Sequence, residues 1–205
     1  MVFRGDLFFA SAMIWTGGFF DFVDGLSARI LNAYSEIGKQ LDSLADMVTF
    51  GILPSVMMYE MIDMRTDTNF LQYSGFLVAV FSAIRLAKFN IDPRQKEYFI
   101  GLPTPAGALF ISGLPFILEN NFFGLNNLLN DVVLAVVSLA LSVLLVAEIR
   151  LFSLKFKDFK WQNNVIRYIF AMISMLTLVI WNVQAIPGII LVYLLLSILT
   201  KKTSK

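Results

Sequence analysis

A chain of 205 residues with 58% apolar and 15% charged side chains, and a mean hydropathy of +0.73, is too apolar for a soluble enzyme, in which about 25% of residues are charged. Sixteen Lys and Arg against fifteen Asp and Glu leave a net charge of +1, which excludes the basic face of a nucleic-acid binder and the composition of a disordered chain. Cysteine and histidine are both absent, so disulfides, thiolate metal sites, a cysteine nucleophile and the usual proton shuttle are excluded, and acid–base chemistry falls to carboxylates, Lys or Tyr.

In chain order, seven apolar segments stand out: Leu7–Phe22, Leu44–Ile62, Phe70–Ala87, Ile100–Leu118, Val132–Ala147, Val165–Trp181 and Ile186–Leu199. A helix needs about 20 residues to cross a hydrocarbon core of about 30 Å, so the shorter segments must tilt or rely on flanking aromatics. The alternation that marks a membrane barrel is missing. The expected fold is therefore all-α, a polytopic transmembrane helical bundle of about seven spans, forming a single domain over residues 1–205. Fourteen of the sixteen basic residues fall in alternate loops, around Arg29 and Lys39, around Arg85 to Lys96, from Arg150 to Arg167, and after Lys201. Only Arg4 and Arg65 lie on the other side, so the first set of loops is expected to face the cytoplasm, with the N-terminus outside. The stretch RLFSLKFKDFKW, within residues 150–162, mixes basic and bulky apolar residues and reads as a cytoplasmic connector lying on the bilayer.

The chemistry concentrates in two adjacent helices. Asp21 and Asp24 are three residues apart and share a helical face, with Gly25 and Ala28 on the same face and Arg29 next to them. On the following helix Gly38, Asp42 and Asp46 recur every four residues, again one stripe. The run from Leu7 to Phe20 reaches only about 21 Å at 1.5 Å per residue, so Asp21 is expected inside the cytoplasmic membrane boundary. Four carboxylates there repel one another and lose hydration, and Arg29 and Lys39 are too few to neutralise them. Divalent cations do so, and an all-oxygen donor set selects hard ions such as Mg²⁺, Mn²⁺ or Ca²⁺. Hard cations beside a glycine-lined gap suit a pyrophosphate. The plainer reading, a solvated loop with scattered acids and helix caps, does not explain acids at a membrane boundary.

The run D-x-x-D-G-x-x-A-R, eight further residues, then G-x-x-x-D-x-x-x-D resembles the signature of the CDP-alcohol phosphatidyltransferases. All eight fixed positions are filled, by Asp21, Asp24, Gly25, Ala28, Arg29, Gly38, Asp42 and Asp46. At ordinary residue usage that coincidence is on the order of 10⁻¹⁰ per starting position. The resemblance implies that Asp21, Asp24, Asp42 and Asp46 bind two divalent ions, Mg²⁺ or Mn²⁺, and that Asp46 is also the general base. It implies a nucleotide and pyrophosphate site of Asp24, Gly25, Ala28, Arg29 and Gly38, in which Gly25 and Ala28 are small positions that let the CDP group approach. For Arg29 it leaves two roles open, a phosphate contact or a helix-anchoring pair. It further implies a homodimer, and a transmembrane helix ahead of the one bearing the first two aspartates, so this chain is expected to lack one N-terminal helix.

Two later stretches, Ile84-Arg85-Leu-Ala-Lys88-Phe-Asn90 and Phe99-Ile-Gly101-Leu-Pro103-Thr104-Pro105-Ala-Gly107, look like those of the serine-using bacterial members of that family, with Lys88 where Arg is usual. The physical reading agrees. L-serine brings a carboxylate to a site full of carboxylates, so a cation must hold it, and Arg85 or Lys88 stands near a helix end on the right side. The simpler role for both is to serve the positive-inside bias. Thr104 is expected to cap the next helix. The expected activity is transfer of a phosphatidyl group from CDP-diacylglycerol to L-serine at the cytoplasmic face of a bacterial membrane, among membrane lipids. The alternatives are glycerol 3-phosphate as acceptor, giving phosphatidylglycerophosphate, and a cation transporter whose acids would lie at mid-membrane in several interrupted helices.

Overall fold

The computed structural model describes residues 6–32, 35–66, 70–92, 94, 99–120, 122–151 and 161–203. Helix α1 (Leu7–Ile30) starts where the Asp6 carboxylate accepts from the Phe9 N–H at 3.0 Å, and its 24 residues run well past Phe22. Asp21, Asp24 and Gly25 are poor helix formers, yet none removes a backbone donor as proline would, so the helix carries them outward from the apolar segment. Helix α2 (Glu36–Asp46) is capped by Ser35, whose Oγ accepts from Gly38 N–H at 3.0 Å, with Glu36 in its first turn.

Past Asp46 the helix does not stop; it widens. Residues Met47–Ile52 form a π-turn, in which Leu53 N–H bonds the Val48 carbonyl five residues back, and α3 (Leu53–Asp63) continues the rod. Pro54 accounts for the widening. It has no N–H for the Phe50 carbonyl and its ring needs room, so the preceding turn expands. A 3₁₀ turn (Leu71–Gly75) then leads into α4 (Phe76–Ile91).

Helix α5 (Thr104–Glu119) is the most buried element, with Ala108, Ile111, Ser112 and Leu114 all nearly inaccessible. It follows a two-residue antiparallel pairing of β1 (Phe99–Ile100) with β2 (Arg150–Leu151). Gly101, at φ +78°, makes that turn, and a Cβ there would stand 2.5 Å from the Leu145 carbonyl oxygen. Pro103 occupies the N-cap of α5 and Thr104 is its first residue, with no side-chain cap bond, so Thr104 does not cap the helix as expected. The short α6 (Leu125–Leu128), α7 (Asp131–Val146), α8 (Trp161–Trp181) and α9 (Ile186–Thr203) complete the chain. Ser11 Oγ lies 2.8 Å from the Ser112 carbonyl oxygen, and Trp15 Nε1 donates to Ser112 Oγ at 2.9 Å, which ties α1 to the central α5.

Each of the seven apolar segments overlaps a helix, but among the described residues four stretches are long and apolar enough to cross a membrane, or five if the bent pair Thr104–Glu119 and Phe122–Leu128 is one span. Two reasons separate this from the expected seven. Asp131–Val146 and Thr104–Glu119 have 16 residues each, about 24 Å, short of a hydrocarbon core. The continuous stretch Asn164–Leu199 counts as one, although its chain doubles back: the rings of Phe170 and Tyr193 sit 5.9 Å apart, around a break at Asn182 with φ 50°. Outward faces are apolar, with Phe19, Val179 and Leu195 each 60% or more exposed, as lipid-facing helices require. The protein is an all-α membrane protein. Of the connector expected over 150–162, residues 152–160 lie outside the described set.

Candidate active site

Helix α1 runs antiparallel to α2 and the π-turn that continues it, as the residues paired along them show. Gly17 stands against Thr49, so closely that a Cβ on Gly17 would collide with the threonine methyl. One turn further along, Asp21 meets Asp42 and Asp46: one carboxylate oxygen from each lies within 4.8 Å of the others. Beyond them, Asp24, Gly25, Ala28 and Arg29 of α1 and Gly38, Lys39 and Asp42 of α2 line an open cleft of about 560 Å³. A Cβ on Gly25 would meet nothing within 4 Å, so the glycine faces empty space in that cleft. The close approach at Gly17 is what brings the acids of two separate helices into one cluster.

The structure divides the expected site residues. Asp21, Asp42 and Asp46 converge; Asp24 is not in that trio but lines the cleft alongside Asp42. Gly38 serves two ends, since its N–H is held by the Ser35 cap and its Cα borders the cleft. Arg29 is exposed on the cleft wall and forms no ion pair among the described residues, so the helix-anchoring pair is not seen.

The two candidate cations of α4 part company. Lys88 is exposed, whereas Arg85 is 5% exposed with its guanidinium 5.3 Å from the Phe89 ring centre. Arg85 Nε has no hydrogen-bond partner, and no carboxylate pairs with Arg85 among the described residues. Helix α4 lies along the α2–π rod, with Ser82 beside Gly51 and Asn90 beside Ser43, which sets Arg85 within about a turn of Asp46. Arg94, just outside the membrane segment, is occupied: its side chain donates to Asp92 at 2.9–3.1 Å and holds that carboxyl below its usual range. Arg85 is thus a buried cation with no anionic partner among the described residues, a costly arrangement for an isolated charge.

Lys39 does not neutralise the acids. Its Nζ donates to the Asn90 carbonyl at 3.1 Å, while Asn90 Nδ2 donates to Ser43 Oγ at 2.8 Å. Sequence spacing gave no sign of this contact, because residues 39 and 43 meet residue 90 only through the packing of α2 on α4.

The donor set of the cluster fits a hard divalent cation, being three carboxylates with only oxygen to offer, gathered where α1 and α2 meet. A transporter would carry acids along several helices; here they sit together at one end of two consecutive ones.

Comparison with known proteins agrees with this geometry. Residues 1–148 match the family model for CDP-alcohol phosphatidyltransferase. The chain is 38% identical over 155 residues to the CDP-diacylglycerol–serine O-phosphatidyltransferase of Bacillus subtilis, covering 74% of this chain and 76% of the relative. Proteins of the same name from Helicobacter pylori and Methanocaldococcus jannaschii are 33% and 30% identical, over 87% and 82% of this chain and 73% and 72% of theirs. A matched model spanning the aspartate cluster, the cleft and the buried Arg85, together with these relatives, makes the chain a member of the CDP-alcohol phosphatidyltransferase family of membrane transferases.

Proposed function

We propose that the chain transfers the phosphatidyl group of CDP-diacylglycerol to L-serine, forming phosphatidylserine and releasing CMP. The observation that carries this reading is the convergence of Asp21, Asp42 and Asp46 beneath a glycine-lined cleft, one helix away from a buried arginine with no carboxylate partner among the described residues. The names of the relatives give the same reaction. Asp21, Asp42 and Asp46, with Asp24 beside them, would hold Mg²⁺ or Mn²⁺, two ions in this reading. When bound, such ions neutralise charge on the pyrophosphate and on the departing phosphate of CMP.

The chain's own residues do the rest. Gly25 and Ala28 leave room on α1 for the nucleotide and its pyrophosphate, and Arg29 faces the same space. Arg85 holds the carboxylate of serine and turns its hydroxyl toward Asp46. The hydroxyl oxygen bonds to the phosphorus bearing the diacylglycerol as the bond from that phosphorus to the CMP oxygen breaks. Asp46 accepts the hydroxyl proton. No side chain has to carry the phosphatidyl group. The cluster end of the bundle faces the cytoplasm, because the basic loops lie at that end.

Labelled acceptors test this directly. Purified protein in vesicles containing CDP-diacylglycerol should incorporate serine in preference to glycerol 3-phosphate. EDTA should abolish CMP release, and Mn²⁺ or Mg²⁺ should restore it. Full CMP release in chelator contradicts the metal reading, and preference for glycerol 3-phosphate contradicts the acceptor.

A further inference from the structure

Three polar groups close a ring between α2 and α4. Lys39 Nζ donates to the Asn90 carbonyl at 3.1 Å, Asn90 Nδ2 donates to Ser43 Oγ at 2.8 Å, and Ser43 Oγ donates to the Lys39 carbonyl at 3.1 Å. The Asn90 carbonyl belongs to the last turn of α4, where no intrahelical N–H remains for it, and a cation at that end complements the helix dipole. Ser43 adjoins Asp42 and precedes Asp46 by less than a turn, while Asn90 lies five residues beyond Arg85. The ring therefore joins the helix that carries two of the clustered carboxylates to the helix that carries the buried cation.

From this geometry we infer that Asn90 is a positioning residue for the acceptor: through Ser43 and Lys39 it sets the spacing between Arg85 on α4 and Asp46 on the α2 rod. The inference rests on the acceptor reading above, in which Arg85 holds the carboxylate and Asp46 takes the proton. The cleft for CDP-diacylglycerol is built from α1 and α2; it shares Lys39 with the ring but is lined by neither Ser43 nor Asn90. Loosening the ring should thus be felt by serine and not by the lipid substrate.

The test uses Asn90→Ala, Ser43→Ala, the double variant and Ser43→Thr in the full chain. Asn90→Ala and Ser43→Ala should each raise the serine KM about tenfold, the loss of one or two net hydrogen bonds, with the KM for CDP-diacylglycerol unchanged. The double variant should be no worse than either single one, and Ser43→Thr, which keeps the hydroxyl, should retain the parent value. The chain has no cysteine, so nitroxides at Ile37→Cys and Ile91→Cys, on exposed positions of α2 and α4, report helix spacing without activity. Asn90→Ala should broaden that distance distribution. Equal rises in KM for both substrates, additive costs in the double variant, or an unchanged distance distribution would each overturn the inference. If the parent chain released no CMP with serine, the acceptor reading itself would fail, and the nitroxide distances alone would decide whether Asn90 sets the helix spacing.

Discussion

Asp21→Asn and Asp42→Asn should each lower CMP release about 10³-fold, equivalent to about 4 kcal/mol of transition-state stabilisation, while leaving the fold intact. Each substitution keeps the shape of the side chain and removes one anionic oxygen from a trio gathered within 4.8 Å. A merely structural role predicts the opposite sign for stability. Like charges this close repel, so in chelator the Asn variants should melt at or above the parent temperature even as activity disappears. Mn²⁺ titration followed by electron paramagnetic resonance gives a readout apart from turnover, and both variants should bind the ion more weakly. Glu148→Gln, at an exposed position with one long ion pair of 3.7 Å, serves as the comparison and should keep parental activity. Parental turnover in either Asn variant would remove the cluster from the mechanism.

The second large effect concerns Arg85. Its guanidinium is desolvated, has an Nε unpartnered among the described residues, and lies over the Phe89 ring, so in the proposed function a substrate carboxylate would supply the missing partner. A buried charge-assisted contact is worth about 1.5–3 kcal/mol, so Arg85→Ala should raise the serine KM about 10- to 150-fold with little change for CDP-diacylglycerol. Arg85→Lys should recover only part of this, because an ammonium cannot make the two parallel bonds of a guanidinium. Lys88→Ala, one turn away and exposed, should shift the serine KM by less than about twofold; the positive-inside bias alone would make the two positions equivalent. If the Lys88 variant raised KM and the Arg85 variant did not, the carboxylate contact would belong to Lys88.

The cluster was legible in the sequence because it depends on local geometry. Three- and four-residue spacings put Asp21 with Asp24 and Asp42 with Asp46 on one stripe each, whatever the rest of the chain does. The match between the two stripes was not legible, since it depends on Gly17 admitting Thr49 and on the register that follows. Arg85 and Lys88 looked alike as cations near a helix end; only the packing of α4 on the π-turn and α7 buries one and exposes the other. The π-turn itself had a visible cause in Pro54, but a proline in an apolar run predicts a kink as readily as a widened turn. Lys39, counted in the sequence with Arg29 as too little charge to neutralise the acids, holds the end of α4, a contact between residues 51 positions apart. The count of seven spans is not confirmed, for a different reason: hydropathy marks apolar helices, and a 16-residue apolar helix such as Asp131–Val146 is apolar without being long enough to cross unaided.

In the proposed reaction the serine hydroxyl oxygen becomes the new ester oxygen on the phosphatidyl phosphorus. L-serine labelled with ¹⁸O in its hydroxyl, supplied to the protein in vesicles of CDP-diacylglycerol with Mn²⁺, tests it by mass spectrometry of both products. The expected result is phosphatidylserine carrying the label together with unlabelled CMP in equal amount. CMP released without labelled phosphatidylserine, or label appearing in CMP, would contradict the account.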